Sequence, residues 1–102
     1  MLAKFDDMLK QLVAEPSISS TTADIDRSNL RVIEHLANWL EDLGFATEVM
    51  VLPNRPDKAN LIATLGANGK PHPGGWVLAG HTDTVPVDPS LCLLYTSDAA
   101  DE

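Results

Sequence analysis

With a single cysteine, Cys92, the chain has no internal disulfide, and this fits a protein kept in a reducing cytoplasm. Basic residues are scarce: seven Lys and Arg stand against fifteen Asp and Glu, a formal charge of −8. So negative a balance argues against nucleic acid and anionic membrane as partners. The first residues lack the uninterrupted apolar stretch of a signal peptide or a spanning helix, because Lys4, Asp6, Asp7 and Lys10 break it. There is no Gly-x-Ser-x-Gly elbow, no cysteine in a nucleophile-like setting and no internal repeat. Gly66-Ala67-Asn68-Gly69-Lys70 has the outline of a phosphate loop, but Pro71 stands where a helix with a Ser or Thr should begin. What remains is a soluble, intracellular chain. Its apolar share of 44% is ordinary for a folded protein, and 102 residues allow one small domain with a modest core.

Leu2, Phe5, Leu9, Leu12 and Val13 recur at three- and four-residue steps, which predicts an amphipathic helix over 2–15. Pro16 disfavours a helical Glu15 and stops it. Residues 17–22, Ser-Ile-Ser-Ser-Thr-Thr, form a polar connector whose hydroxyls suit loop or helix-end amides. A second helix is expected from Asp24 to Leu43, with Val32, Ile33, Leu36, Ala37, Trp39, Leu40 and Leu43 on one stripe. Asp24 and Asp26 suit its positive end, and Gly44 is placed to close it. Three strands should follow, at Phe45–Leu52, Asn60–Leu65 and Gly75–Ala79, with Pro53 to Lys58 and the Gly- and Pro-rich Gly66 to Gly74 as exposed connections. Two helices followed by three strands make the front of a layered α/β domain, and an incomplete one.

The third strand carries the chemistry. Trp76-Val77-Leu78-Ala79 reads as a strand buried on both faces, ending at Gly80 and releasing His81, Thr82 and Asp83 into a loop. Chemistry in open α/β sheets collects outside the carboxyl ends of such strands. An imidazole there can bind a metal or move a proton, while a carboxylate two residues on holds the ring by its other nitrogen. The bland alternatives are a polar strand cap for His81 and a turn residue for Asp83. His35 reads as a surface residue of the second helix, and His72, between Pro71 and Pro73, lies in a turn poorly suited to orient a ligand. One histidine does not hold a catalytic metal, since zinc sites usually take three protein ligands.

Four segments follow one another in a familiar order: Leu12-Val13-Ala14-Glu15-Pro16-Ser17-Ile18-Ser19, Trp39-Leu40-Glu41-Asp42-Leu43-Gly44-Phe45, Asn60-Leu61-Ile62-Ala63-Thr64-Leu65, and Leu78-Ala79-Gly80-His81-Thr82-Asp83-Thr84-Val85-Pro86. Together they resemble the N-terminal part of the dinuclear zinc amidohydrolases and peptidases, over about Met1 to Asp88. The continuation Thr84-Val85-Pro86-Val87-Asp88, with the Pro-Ser-Ile-Ser segment, is most similar to the deacetylase branch. The resemblance implies the N-terminal portion of a three-layer α/β/α catalytic domain over residues 1–90. It implies His81 as a metal ligand and Asp83 as the catalytic-site carboxylate that braces it. By the same resemblance the complete active site holds two zinc (or cobalt) ions and acts on a small N-acyl amino acid. In the deacetylase branch that means releasing acetate in arginine biosynthesis. The parent enzyme is expected to be a cytoplasmic homodimer. The bridging aspartate, the glutamate base, the other ligands and the dimerisation domain have no counterpart in these 102 residues, so the chain is expected to be inactive alone.

Residues 91–102 depart from the family. Leu91 to Glu102 resembles the translation of a sequencing adapter joined to a truncated frame, with a divergent terminus as the alternative, and Cys92, Tyr95 and the final acids receive no function. Rival readings are a desuccinylase or peptidase of the same family and, in another class, a short non-catalytic interaction module.

Overall fold

Helix α1 covers Phe5–Ala14 and stops where Pro16 requires, with Glu15 already extended at φ −89° and ψ 124°. The computed structural model describes residues 4–66 and 73–86. None of the α1 residues is buried, and Phe5 and Val13 are three-quarters exposed. Its tie to the next helix is polar: Glu15 lies 3.2 Å from His35 and 3.5 Å from Arg31.

Helix α2, Leu30–Asp42, starts six residues later than the apolar pattern suggests. The reason lies in the side chains of residues 20–29. Asp26 accepts the Ser20 main-chain N–H at 2.9 Å, and Arg27 bonds the carbonyls of Asp24 and Asp26. Such local side-chain bonds offer the backbone an alternative to helix. Asp24 and Asp26 therefore do not serve the helix dipole, and the first turn of α2 holds no acid. The far end matches expectation. Gly44 takes φ +96°, its N–H reaches the Glu41 carbonyl at 3.0 Å, and the Phe45 N–H reaches Leu40 at 2.9 Å. These are the paired bonds of a glycine-closed helix end, and a side chain at Gly44 would strain them.

Strand β1, Ala46–Leu52, pairs antiparallel with β2, Arg55–Thr64, in the register Ala46↔Thr64, Val49↔Leu61 and Val51↔Ala59. The register shifts at Val51/Leu52, so that Leu52 faces Arg55 and the predicted connection shrinks to Pro53 and Asn54. Strand β2 thus begins five residues before its predicted start. Helix α2 lies against this sheet, and among the described residues the buried apolar side chains are Val32, Ile33 and Ala37 from the helix with Ala59 from β2. The core is small because β1 has no buried residue: Val49, Met50 and Val51 are each about half exposed.

The third strand is not formed. The described residues hold a two-stranded sheet, and Trp76, Val77 and Leu78 are 96, 92 and 95% exposed. An apolar run specifies a strand buried on both faces only where neighbouring strands and covering helices receive it. Among the described residues nothing does so, and the segment runs unpaired until Thr84 bridges Ile18 in parallel. Most of the predicted Gly66–Gly74 turn lies outside the described residues, although Gly66 and Gly74 at its ends both take positive φ.

Candidate functional site

The loop that leaves residue 80 is fastened to the connector between the helices. The Thr84 N–H donates to the Ser17 carbonyl at 3.0 Å, and the Ser19 N–H donates back to Thr84 at 3.3 Å. Ser17, only 2% exposed, also gives its hydroxyl to the Thr82 carbonyl at 2.6 Å. Thr82 turns inward as well, its Oγ1 accepting from Asn29 Nδ2 at 3.0 Å. Alternation along an extended segment then puts residues 81 and 83 together on the opposite, outer side. Their side chains are 81% and 61% exposed.

There they meet. His81 Nδ1 lies 2.9 Å from Asp83 Oδ1 and 3.1 Å from the Asp83 carbonyl. Both neighbours are acceptors, so Nδ1 carries a proton, and in the uncharged ring this leaves the lone pair on Nε2. An exposed pair of this kind adds little to stability. Its chemical content is an oriented, outward-facing imidazole nitrogen. It stands at the edge of a cleft of about 630 Å³ whose wall includes Asn29, Asn60 and Leu61.

A second polar group holds the connector to β2. Lys58, with 13% of its side chain exposed, lies 3.2 Å from Asp26 Oδ1 and also bonds the carbonyls of Ile18 and Arg27. Arg55 pairs with Asp26 and with Asp57. The Ser20 amide, then the Arg55 and Lys58 cations, hold the Asp26 carboxyl down at about 2. Arg55 lowers Asp57 in the same way. A carboxylate whose folded pKa is depressed contributes stability above its unfolded value, and that contribution is lost as pH falls through the folded one. Acid titration from pH 4 toward 2 should therefore lower the urea midpoint of the chain. In Asp26→Asn the midpoint should start lower at neutral pH and fall less over that window.

Other candidates fall differently. His35 is not a free surface residue: it is half-buried, bonds Glu15 and stacks on Trp39 with centroids 5.7 Å apart. Its position one turn before Trp39 on the same helix puts the two rings side by side, and Glu15, just after α1, reaches its Nε2. His72, Cys92 and Tyr95, and the whole of 91–102, lie outside the described residues. Ser17, Asn29 and Lys58 escaped the sequence reading. The side-chain partners lie 30 and 53 residues away for Asn29 and 65 for Ser17, distances at which local pattern is silent.

Among the described residues no group of three His, Cys, Asp or Glu side chains is placed to hold a metal ion. One imidazole with a carboxylate on its other nitrogen does not make a zinc centre, which takes three protein ligands at least. Calorimetric titration of the chain with zinc should show no submicromolar site. A site of that strength, lost in His81→Ala, would contradict the donor count.

No helix among the described residues is long and apolar enough to cross a membrane. No family model matches the chain. Individual relatives do. The chain is 48% identical over 90 residues to an acetylornithine deacetylase of Photorhabdus laumondii, covering 88% of this chain and 22% of that protein. It is 51% identical over 87 residues to one of Proteus mirabilis, covering 85% and 21%. For one of Pasteurella multocida the values are 49% over 87 residues, 85% and 22%. A match of 87 residues within 102 necessarily takes in positions 81–83. The chain spans about a fifth of the length of these curated relatives, and over that stretch it is a homologue of the N-terminal part of proteins named acetylornithine deacetylase.

Proposed function

We propose that this chain is the portion of an acetylornithine deacetylase that brings one imidazole and its carboxylate to the hydrolytic site. The reaction is N2-acetyl-L-ornithine plus water giving L-ornithine plus acetate, a step of arginine biosynthesis carried out in the cytoplasm. The observation that carries this is the His81 Nδ1–Asp83 Oδ1 contact of 2.9 Å, which leaves Nε2 turned outward. An imidazole so held has a fixed tautomer and ring angle, which is what a metal ligand requires. In this reading His81 is one ligand of a zinc (or cobalt) ion and Asp83 its brace, in a site that uses two such ions. The remaining ligands and the base that activates water come from outside the described residues, as does the surface through which the whole enzyme forms a homodimer. No step of hydrolysis is assigned to this chain alone.

The test is a chimera. Residues 1–86 replace the corresponding segment of the Proteus mirabilis relative, and release of the free α-amino group from N2-acetyl-L-ornithine is followed. Turnover that is abolished by His81→Ala is the expected result. A folded, metal-loaded chimera that leaves N2-acetyl-L-ornithine intact but cleaves succinyl-diaminopimelate would move the chain to the desuccinylase branch. No turnover of either would remove the reading.

A further inference from the structure

Among the described residues, the polar contacts of the His81 and Asp83 side chains are with each other. Each is more than half exposed, so packing does not fix where the pair stands relative to the rest of the fold. That place is set from behind, by the residue between them. Thr82 is held twice: through its carbonyl by the Ser17 hydroxyl at 2.6 Å and through Oγ1 by the Asn29 amide at 3.0 Å. Asn29 is itself fixed, since its amide oxygen accepts the Ala59 N–H and its amide nitrogen donates to the Ala59 carbonyl, both at 2.9 Å. Ser17 is fixed by burial and by its carbonyl bond to Thr84. The outward pair is thus tied to strand β2 through Thr82, and to the inter-helix connector through Thr82 and the neighbouring Thr84.

We propose that Ser17, Asn29 and Thr82 are positioning residues for the His81–Asp83 pair, acting through Thr82 and touching neither the imidazole nor the carboxylate. The catalytic consequence rests on the deacetylase reading above, whereas the structural one does not. Thr82 Oγ1 must accept a hydrogen bond to do this. Serine can replace it, and valine, close in shape but without the oxygen, cannot. If the turn at 82 relaxes, the 2.9 Å Nδ1–Oδ1 contact lengthens and the imidazole loses the partner that selects its tautomer.

The full 102-residue chain, labelled uniformly with 15N, tests this above the pH range in which imidazole titrates. Wild type and Thr82→Ser should show the His81 ring protonated at Nδ1, while Thr82→Val and Ser17→Ala should show a mixture of both tautomers. The backbone amide spectrum of 30–64 serves as the control for folding. Ser17→Ala answers from the carbonyl side if Thr82→Val disturbs that spectrum. Unchanged tautomers in the folded variants overturn the proposal. In the chimera, Thr82→Val should lower kcat by about ten- to a hundredfold with KM within twofold, and Thr82→Ser should restore it. Equal loss of kcat in the serine and valine variants would also overturn the proposal, because it would show that the hydroxyl is not what acts. A chimera inactive with its native Thr82, beside the expected tautomer change in the chain, would unseat the deacetylase reading and leave the positioning role standing.

Discussion

Asn29→Ala should lower the unfolding free energy of the chain by roughly 2–4 kcal/mol, because two buried main-chain groups lose their partner at once. Ala59 is 3% exposed, and its N–H and carbonyl both bond the Asn29 amide. In an antiparallel strand these two groups point to the same side. The Asn29 side chain therefore occupies the place a neighbouring strand would otherwise take. Alanine puts nothing there, and a position this buried admits little water in compensation. The Thr82 hydroxyl loses its donor in the same substitution. Asn29→Asp gives a useful contrast: it keeps an acceptor for the Ala59 N–H but sets a carboxylate oxygen against the Ala59 carbonyl. It should be at least as damaging. Urea unfolding followed by circular dichroism measures both, and a loss below about 0.5 kcal/mol for alanine would show that the Ala59 groups find another partner.

The second large effect concerns turnover and belongs to the chimera. Asp83→Asn should reduce activity or metal affinity by about ten- to a hundredfold, the usual consequence of altering the group that orients a ligating histidine. The amide is nearly the same shape, so the fold is unaffected and the exposed pair adds little stability to lose. What changes is the electrostatics and the choice of proton. An asparagine that presents its NH2 to Nδ1 selects the opposite tautomer and places a hydrogen on Nε2, where the lone pair should be. Raising the metal concentration should recover part of the loss in Asp83→Asn and none in His81→Ala. Equal behaviour of the two would mean that residue 83 acts by some route other than the imidazole.

What the sequence revealed and what it hid divide along physical lines. The end of α2 was legible because a glycine after an apolar stripe has one common use, and Gly44 takes it with φ +96°. The antiparallel ribbon was legible from its short connection, although the shift at Leu52 moved the start of β2 back to Arg55. The pairing of His81 with Asp83 was legible from their spacing, since residues two apart in an extended segment share a side. The late start of α2 was not, because Asp26 is spent on Ser20, Arg55 and Lys58, and two of those partners lie beyond β1. Nor were Ser17 and Asn29, whose work depends on contacts with residues 53 to 65 positions away. The third strand marks a different limit. Its pattern is a specification for surroundings, and the described residues do not provide them.

The two tryptophans turn that last feature into an optical asset. Trp39 is stacked on the imidazole of His35 along α2, whereas Trp76 stands in water at 96% exposure. Their emission should therefore separate into a bluer, partly quenched component and a redder, solvent-relaxed one. Any strand laid alongside residues 76–78 would shift the second and leave the first in place. The chain carries, without added dye, a fluorescent report on whether the exposed apolar run at residues 76–78 has been covered.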